Sequence, residues 1–535
     1  MFKQTLVASV GLLSLSLTAG SAVGQHDHAQ HGTADQLGKV NFANSCKPEV
    51  QDELGQAVAL LHSFWWNLGE TTFRNVLVHD PSCAVATWGI ASLIMANPLA
   101  GVGPTPEDAK RAQEAIDEGR RIGAKTQRER DYIETVAAYY KDFAARPERD
   151  RQKTRSDAYV ALAAKYPDDD EAQIFEALYL AGTQSQADQT FAAYHKSAAI
   201  LEPMFVKYPQ HPGVAHYLIH VYDAPPLAQE GLPAARKYSE IAPDAPHALH
   251  MPSHIFTRVG DWEHSDATNR RSFKAAVSAG DHAEAYHASD YAVYADLQLA
   301  RDTAASQQIA DAMKVPTSGP GGQITFYAVG AMPARYALER GDWAAAAKIG
   351  PPSGSVPWTQ ASTWFARGIG GARSGNDDAA HQAADELDKI HTALVKGGEA
   401  YWAGEVEVQQ LATAAWTALA HKQTDEALGL MRKAADLEDG RGKHIVTPGR
   451  MLPARELLGD MLLEAGKPTE ALKEYEASQL RELNRLRGFY GAARAAEAAG
   501  NRDKAVKYYN QLLALTKDAD SNRAEITKAR VFTAG

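Results

Sequence analysis

Histidines are concentrated in one part of this 535-residue chain, since nine of the 19 lie between residues 211 and 287. Two pairs share one spacing: His216 and His220 are four residues apart, and His250 and His254 repeat the pair at an offset of 34. Residues four apart lie on one face of a helix, so each pair presents two imidazoles side by side. Imidazole groups bind zinc, copper, iron or nickel. The spacing therefore predicts a transition-metal site.

A third candidate helix continues the pattern. His287 and Tyr291 are again four residues apart, and Asp290 lies beside them. Packed helices lie about 8–10 Å apart, so histidines on adjacent helices can converge on one ion. The predicted metal ligands are His216, His220, His250, His254 and His287. The predicted outer partners, which would orient the imidazoles, are Asp290, Tyr291 and His247, with Asp223 as a further candidate.

Pro252 lies between His250 and His254 and leaves two alternatives open. If the helix begins near Pro246, Pro252 falls close to the first turn, where proline does little damage. If the helix begins at Pro252, His250 lies on the preceding loop and the spacing of four carries no meaning for that pair.

Several other kinds of site are disfavoured. Residues 216–220 have the histidine spacing of the zinc-protease helix, but they lack the glutamate that would act as general base. The net charge of −11 argues against broad nucleic-acid binding, which needs a basic surface. Two cysteines are too few for a four-cysteine zinc site or an iron–sulfur cluster.

The elements that must position the histidines are helices. From residue 50 onward, apolar residues recur at helical spacing between short Gly, Pro and Asp interruptions. Near the C-terminus a set of small and aromatic residues recurs at an offset of 34. Its members are Gly459, Ala471 and Tyr475, then Ala493, Ala505 and Tyr509.

This recurrence resembles the tetratricopeptide repeat, a unit of two antiparallel helices with a period of 34. The resemblance spans most of residues 50–517, with insertions. It implies an all-α solenoid of stacked helix pairs, wound as a right-handed superhelix, whose first helices line a concave groove. With Gly260-Asp261-Trp262 as a hairpin turn, both histidine pairs fall at positions that face the groove in that family.

The N-terminus has the features of a secretory signal over residues 1–24: a basic start, a short apolar run and a small-residue cleavage site. No run is long enough to span a membrane. We therefore expect an exported protein, either periplasmic or secreted. Residues 25–45 are predicted to be a His-rich disordered tail. An N-terminal array over 46–314 and a C-terminal array over 323–535 follow, with a hinge at 317–322.

Cys46 and Cys83 lie 37 residues apart, about one helix pair. Export permits disulfides, and stacked pairs bring such positions to the same edge of the array. We predict a Cys46–Cys83 disulfide, with two buried free thiols as the alternative.

Two functions from different classes remain open on the sequence. The first is transition-metal binding by histidines of adjacent repeats, with copper or zinc favoured, iron also possible, and metal-dependent catalysis left open. The second is a non-catalytic scaffold that binds a peptide or protein partner in the concave groove. The identical histidine pairs on two adjacent repeats favour the metal site.

Overall fold

A computed structural model describes residues 36–318 and 322–534. These residues form helices joined by turns and loops, with no β-strand among them, which confirms the predicted all-α fold. None of the helices in the described part is long and apolar enough to cross a membrane. The predicted signal segment at 1–24 and part of the predicted hinge, residues 319–321, lie outside the described residues.

Helices of the N-terminal part precede residue 318, with 3₁₀ turns at Pro48–Val50 and Phe143–Ala145. They are α1 (Gln51–His62), α2 (Trp66–His79), α3 (Ala86–Ile94), α4 (Pro106–Ile122), α5 (Gln127–Tyr140), α6 (Glu148–Lys165), α7 (Asp170–Ala181), α8 (Ala192–Lys207), α9 (Pro212–Tyr222), α10 (Leu232–Ile241), α11 (Pro246–His250), α12 (Pro252–Val259), α13 (Trp262–Ala279), α14 (His282–Gln298) and α15 (Asp302–Ala312).

The C-terminal part continues the same pattern. Its helices are α16 (Gly322–Glu339), α17 (Trp343–Ala346), α18 (Pro357–Ser374), α19 (Asp377–Gly397), α20 (Ala400–Ala420), α21 (Thr424–Asp439), α22 (Ala454–Glu464), α23 (Pro468–Ser478), α24 (Leu486–Ala498), α25 (Arg502–Leu515) and α26 (Ala524–Ala534).

Neighbouring helices pack as pairs, and the pairs stack. Consecutive helices such as α13 and α14, α18 and α19, and α24 and α25 contact each other extensively. Alternate helices also touch, as α14 does with α16 and α18 with α20. Each pair thus buries its apolar side against the next pair, which is the arrangement of a helix-pair solenoid. The right-handed superhelix stays a prediction.

Tight turns bring the histidine-bearing helices side by side. Gly260 ends α12 in the left-handed region at φ +71°, a conformation that glycine adopts without strain. The carboxylate of Asp261 then accepts a hydrogen bond from the backbone N–H of His264 and caps α13. Gly280 and Asp281 repeat this turn before α14. The predicted turn at 260–262 is therefore present.

The helical backbone continues through the boundary between α11 and α12, at Met251 and Pro252. Met251, between α11 and α12, keeps a right-handed helical backbone at φ −53° and ψ −36°. Its N–H donates to the carbonyl of His247 at 2.9 Å. The helix therefore begins at Pro246, the first of the two alternatives, and His250 and His254 remain on one face.

Residues 36–45 depart from the predicted disordered tail. Leu37 and Phe42 are buried, and the Phe42 ring stacks on Trp88 at 5.0 Å between centroids. The Ser45 hydroxyl donates to the carboxylate of Glu129 at 2.6 Å. This segment packs on the array because it contains apolar side chains that can be buried there. The histidines at 26, 28 and 31 lie outside the described residues.

Cys46 and Cys83 form a disulfide, with Cα atoms 4.8 Å apart. The bond joins the segment before α1 to the segment before α3. The start of the array is thereby closed covalently.

The two predicted arrays meet at the histidine region. Residues 440–453, between α21 and α22, form a long connection that we call the return loop. Its Lys443 ammonium donates to Asp223 at 2.8 Å, and its Thr447 carbonyl accepts from Tyr291 at 3.1 Å. The C-terminal part therefore covers the histidines instead of leaving them in an open groove.

Candidate metal centre

Four neighbouring helices supply imidazoles to one buried region. They are α9, α11, α12 and α14, joined in space by the turns described above. The five predicted ligands are between 0% and 8% exposed. The structure thus brings together all the predicted ligands, and it adds His247 to them.

The six histidines form two groups of three. The first triad is His216, His220 and His247, and the second triad is His250, His254 and His287. Within each triad, one nitrogen from each imidazole lies within 4.8 Å of the others. His247, predicted as an outer partner, is therefore a full member of the first triad. Its ring centroid lies 5.0 Å from that of His216 on α9.

Hydrogen bonds fix the tautomers of two histidines of the second triad, His250 and His254. His250 Nδ1 donates to Asn269 Oδ1 at 2.6 Å, and Asn269 is held in this orientation because its Nδ2 donates to the Ser265 carbonyl at 2.6 Å. His254 Nδ1 donates to the Asp223 carboxylate at 2.8 Å. In a neutral imidazole the other nitrogen then carries only a lone pair. The Nε2 atoms of His250 and His254 are both in this state.

Those two lone pairs face each other at an Nε2–Nε2 distance of 3.0 Å. Burial lowers the pKa of His250 to about 3 and that of His254 to about 4, so both rings are neutral near pH 7. No proton is therefore available to join the two nitrogens at neutral pH. A cation between them would turn this repulsive arrangement into a favourable one.

The first triad is built in a similar way. His216 Nδ1 donates to the carbonyl of His62 at 2.7 Å, and His247 Nδ1 contacts the carboxylate of Glu284 at 3.0 Å. His216 Nε2 lies 3.0 Å from His220 Nε2. Burial lowers the pKa of His216 and His220 well below the ordinary value. His216 and His220 are therefore also uncharged near pH 7.

Three triad nitrogens have no hydrogen-bond partner among the described residues. They are His220 Nδ1, His247 Nε2 and His287 Nδ1. Buried polar atoms are nearly always hydrogen-bonded, so a cluster of exceptions points to an ion or other group that the protein side chains do not supply.

Tyr291 and Asp290, two of the predicted outer partners, contact different parts of the molecule. The Tyr291 ring contacts the second triad, with its centroid 4.8 Å from His250 and 4.9 Å from His254. Asp290 instead accepts a hydrogen bond from Arg335 Nε at 3.0 Å and faces the C-terminal part. Asp290 and Tyr291 are adjacent on α14, so their side chains leave the helix in different directions.

Asp223 accepts a hydrogen bond from a triad histidine, His254. Besides His254, its carboxylate accepts from Arg258 Nε at 2.7 Å and from Lys443 Nζ at 2.8 Å. Burial alone would raise the pKa of Asp223, but the two cations hold it well below its usual range. Burial also lowers the pKa of Lys443, to about 8. A charged carboxylate therefore stands behind His254 and increases the basicity of its imidazole.

Sequence reasoning missed four residues that orient the triads: His62, Asn269, Glu284 and Lys443. Only Glu284 had a local signal, because it stands three residues after the helix-capping Asp281. His62 is the last residue of α1. It is buried, and its carbonyl anchors His216.

A pocket of about 360 Å³ adjoins both triads. His247 and His287, one from each triad, lie in its wall beside the aromatic rings of Phe64 and Trp66. The wall is completed by Ile445 of the return loop and by polar residues around Asp281. A small molecule in this pocket would reach one histidine of each triad.

Comparisons with known proteins give no functional relative. No family model and no curated protein matches the chain. A solved human IFIT1 dimer with PPP-AAAA superposes with a TM-score of 0.38 at 13% identity, covering 81% of this chain and 91% of that one. The Cut9–Hcn1 heterotetramer of the APC/C gives 0.29 at 12% identity, covering 90% and 95%. Similarity this low carries no argument about function, and the fold assignment rests on the helix pairing itself.

Proposed function

We propose that this chain is an exported protein that binds transition-metal ions through its buried histidine centre. One observation carries the proposal: the Nε2 atoms of His250 and His254 face each other at 3.0 Å while both Nδ1 atoms are committed as donors. A bound cation gives this arrangement a favourable partner for both lone pairs. The predicted signal segment and the Cys46–Cys83 disulfide support export.

Copper and zinc suit the centre best, and iron also fits. All six nearest groups are imidazoles, which favour these metals over magnesium, calcium or manganese. In four of the six histidines the Nδ1 atom contacts a carboxylate, an amide or a backbone carbonyl, as in other histidine metal sites; the four are His216, His247, His250 and His254.

The burial of the histidines favours metal binding over the peptide-scaffold alternative. A peptide in a concave groove needs side chains that it can reach, whereas His216, His250 and His254 are at most 1% exposed. The return loop occupies the space in which a peptide would contact them.

Metal content of the full chain tests the proposal. The parent would carry His26→Ser, His28→Ser and His31→Ser, so that the N-terminal histidines add no binding of their own. After reconstitution with Cu²⁺, Zn²⁺ or Fe²⁺ and desalting, we expect bound metal by plasma mass spectrometry. The double variant His250→Asn/His254→Asn should lose at least half of the metal that the parent retains.

The matched control is His444→Asn. His444 is also buried, at 8% exposure, but belongs to neither triad, so this variant should keep the metal content of the parent. Circular dichroism verifies that every variant is folded. A folded parent that retains none of the three metals would contradict the proposal.

A further inference from the structure

The two triads are related by the repeat. In each, a pair of imidazoles four residues apart comes from one stretch of helix, α9 or the continuous α11–α12, and a later helix supplies the third. The pair on α9 is completed by His247 of α11, and the pair on α11 and α12 is completed by His287 of α14. The same construction therefore occurs twice, one repeat apart.

The segment α11–α12 belongs to both triads. It gives His247 to the first triad and His250 and His254 to the second, within eight residues of chain. Rings of different triads are neighbours: the centroids of His247 and His250 are 5.9 Å apart, as are those of His220 and His254. The triads are thus halves of one centre.

We propose that the centre holds two metal ions, one in each triad, close enough to share one small bridging ligand. This inference rests on the proposed function and specifies it. A metal ion lies about 2.0–2.1 Å from an imidazole nitrogen. Rings of different triads whose centroids are 5.9 Å apart therefore allow two ions to approach the roughly 3.5–4 Å spacing of dinuclear sites.

Both negative and positive side chains surround the centre, since Asp223 also binds Arg258 and Lys443. The six imidazoles bring no negative charge of their own, but one carboxylate stands behind each triad. Glu284 contacts His247 of the first triad, and Asp223 contacts His254 of the second. Three neutral ligands to each ion leave a coordination position open for a small anion such as hydroxide.

The pocket provides a route for such a ligand. Its wall contains His247 and His287, so it borders one member of each triad. Residues 280–282 also line it, and of these residue 280 is exposed while 281 and 282 are half-buried. We assign a small bridging anion to this position. Hydroxide is the resident ligand, and azide serves as the experimental probe.

Copper stoichiometry and electron paramagnetic resonance test the inference. The parent, with serine at positions 26, 28 and 31, is loaded with Cu²⁺ and desalted. We expect two copper ions per chain and an integrated signal far below two spins, because two bridged Cu²⁺ ions couple magnetically. Azide should change the charge-transfer absorption of this form.

Two single variants each break one triad: His220→Asn in the first and His287→Asn in the second. In both residues Nδ1 has no hydrogen-bond partner among the described residues, and the Nε2 of His220 contacts His216 of its own triad. Each variant should bind one copper ion, and its signal should integrate to one full spin. His444→Asn should behave like the parent.

The outcomes separate this inference from the proposed function. Two copper ions with a full two-spin signal, or a single ion per chain, would overturn the dinuclear centre and leave metal binding intact. No bound metal in the folded parent would overturn both. If a variant fails to fold, the stoichiometry and spin count of the parent still decide the question.

Discussion

Glu171 shows how much of the centre depends on individual side chains outside it. Its two carboxylate oxygens contact His62 Nε2 at 3.0 Å and His211 Nε2 at 2.9 Å, and all three residues are buried. His62 Nδ1 lies 2.8 Å from the hydroxyl of Tyr217, and the His62 carbonyl holds His216. One buried carboxylate therefore supports the first triad without touching it.

The contribution of Glu171 to stability depends on pH. Burial alone would raise its pKa, but the contacts with His211 and His62 lower it well below the ordinary value. A lowered acid pKa stabilises the folded state above the pKa of the unfolded chain, about 4.3 for glutamate, and this stabilisation is lost as the pH falls below it. We expect Glu171→Gln to lower the free energy of unfolding of the metal-free chain at neutral pH by about 1.5–3 kcal/mol.

Thermal unfolding measured at neutral pH and again well below the ordinary glutamate pKa tests this. The difference between parent and variant should shrink on acidification. Glu176→Gln, on the same helix and partly exposed, is the matched control. Burial raises the pKa of Glu176, so this substitution should not lower stability at either pH. A difference that stays constant with pH would rule out the ionised form of Glu171 as the cause.

At the scale of the element, the first helices of the array pack against a helix that carries triad histidines. α1 packs on α9 as well as on its partner α2, so the start of the chain reaches the helix that carries His216 and His220. The Cys46–Cys83 disulfide closes the 37-residue segment that contains α1 and α2.

Removing the disulfide should therefore destabilise α1 and α2 more than the rest of the array. For a loop of this length, the chain-entropy estimate is about 4 kcal/mol of stabilisation. We expect Cys46→Ser/Cys83→Ser to lower hydrogen-exchange protection in α1 and α2, while protection in α24 and α25 stays unchanged. A uniform loss of protection along the whole chain would contradict this local role.

At the scale of the whole molecule, a buried ion pair joins the two parts of the array. Arg335 of α16 and Asp290 of α14 are both fully buried, and their contact measures 3.0 Å. Arg335 also donates to the carbonyls of Gly449 and Arg450 at 2.9 Å. This arginine thus holds the return loop against the helix that carries His287.

Breaking the pair should destabilise the junction strongly. Arg335→Ala leaves the Asp290 carboxylate buried without a partner, and we expect a loss of about 3–5 kcal/mol in chemical denaturation. The double variant Arg335→Ala/Asp290→Asn should recover part of the loss, because it removes the unpaired charge. A double variant less stable than the single one would contradict this reason.

The sequence by itself determined the helices, the repeat and the members of the histidine centre. Helical periodicity and the offset of 34 are local properties, and the spacing of four places His216 with His220, and His250 with His254, on one face before any tertiary contact forms. The glycine and aspartate turn at 260–261 was predictable for the same reason, since its conformation depends on adjacent residues.

Only the tertiary structure decided how the histidines are divided and what surrounds them. His247 joins the first triad, Asp290 turns to Arg335, and Lys443 reaches Asp223 from 220 residues away. Residues 36–45 pack on the array for a similar reason, since their apolar side chains find a surface built by later helices. Such contacts depend on where distant segments return in space, and the spacing of residues along the chain does not encode that.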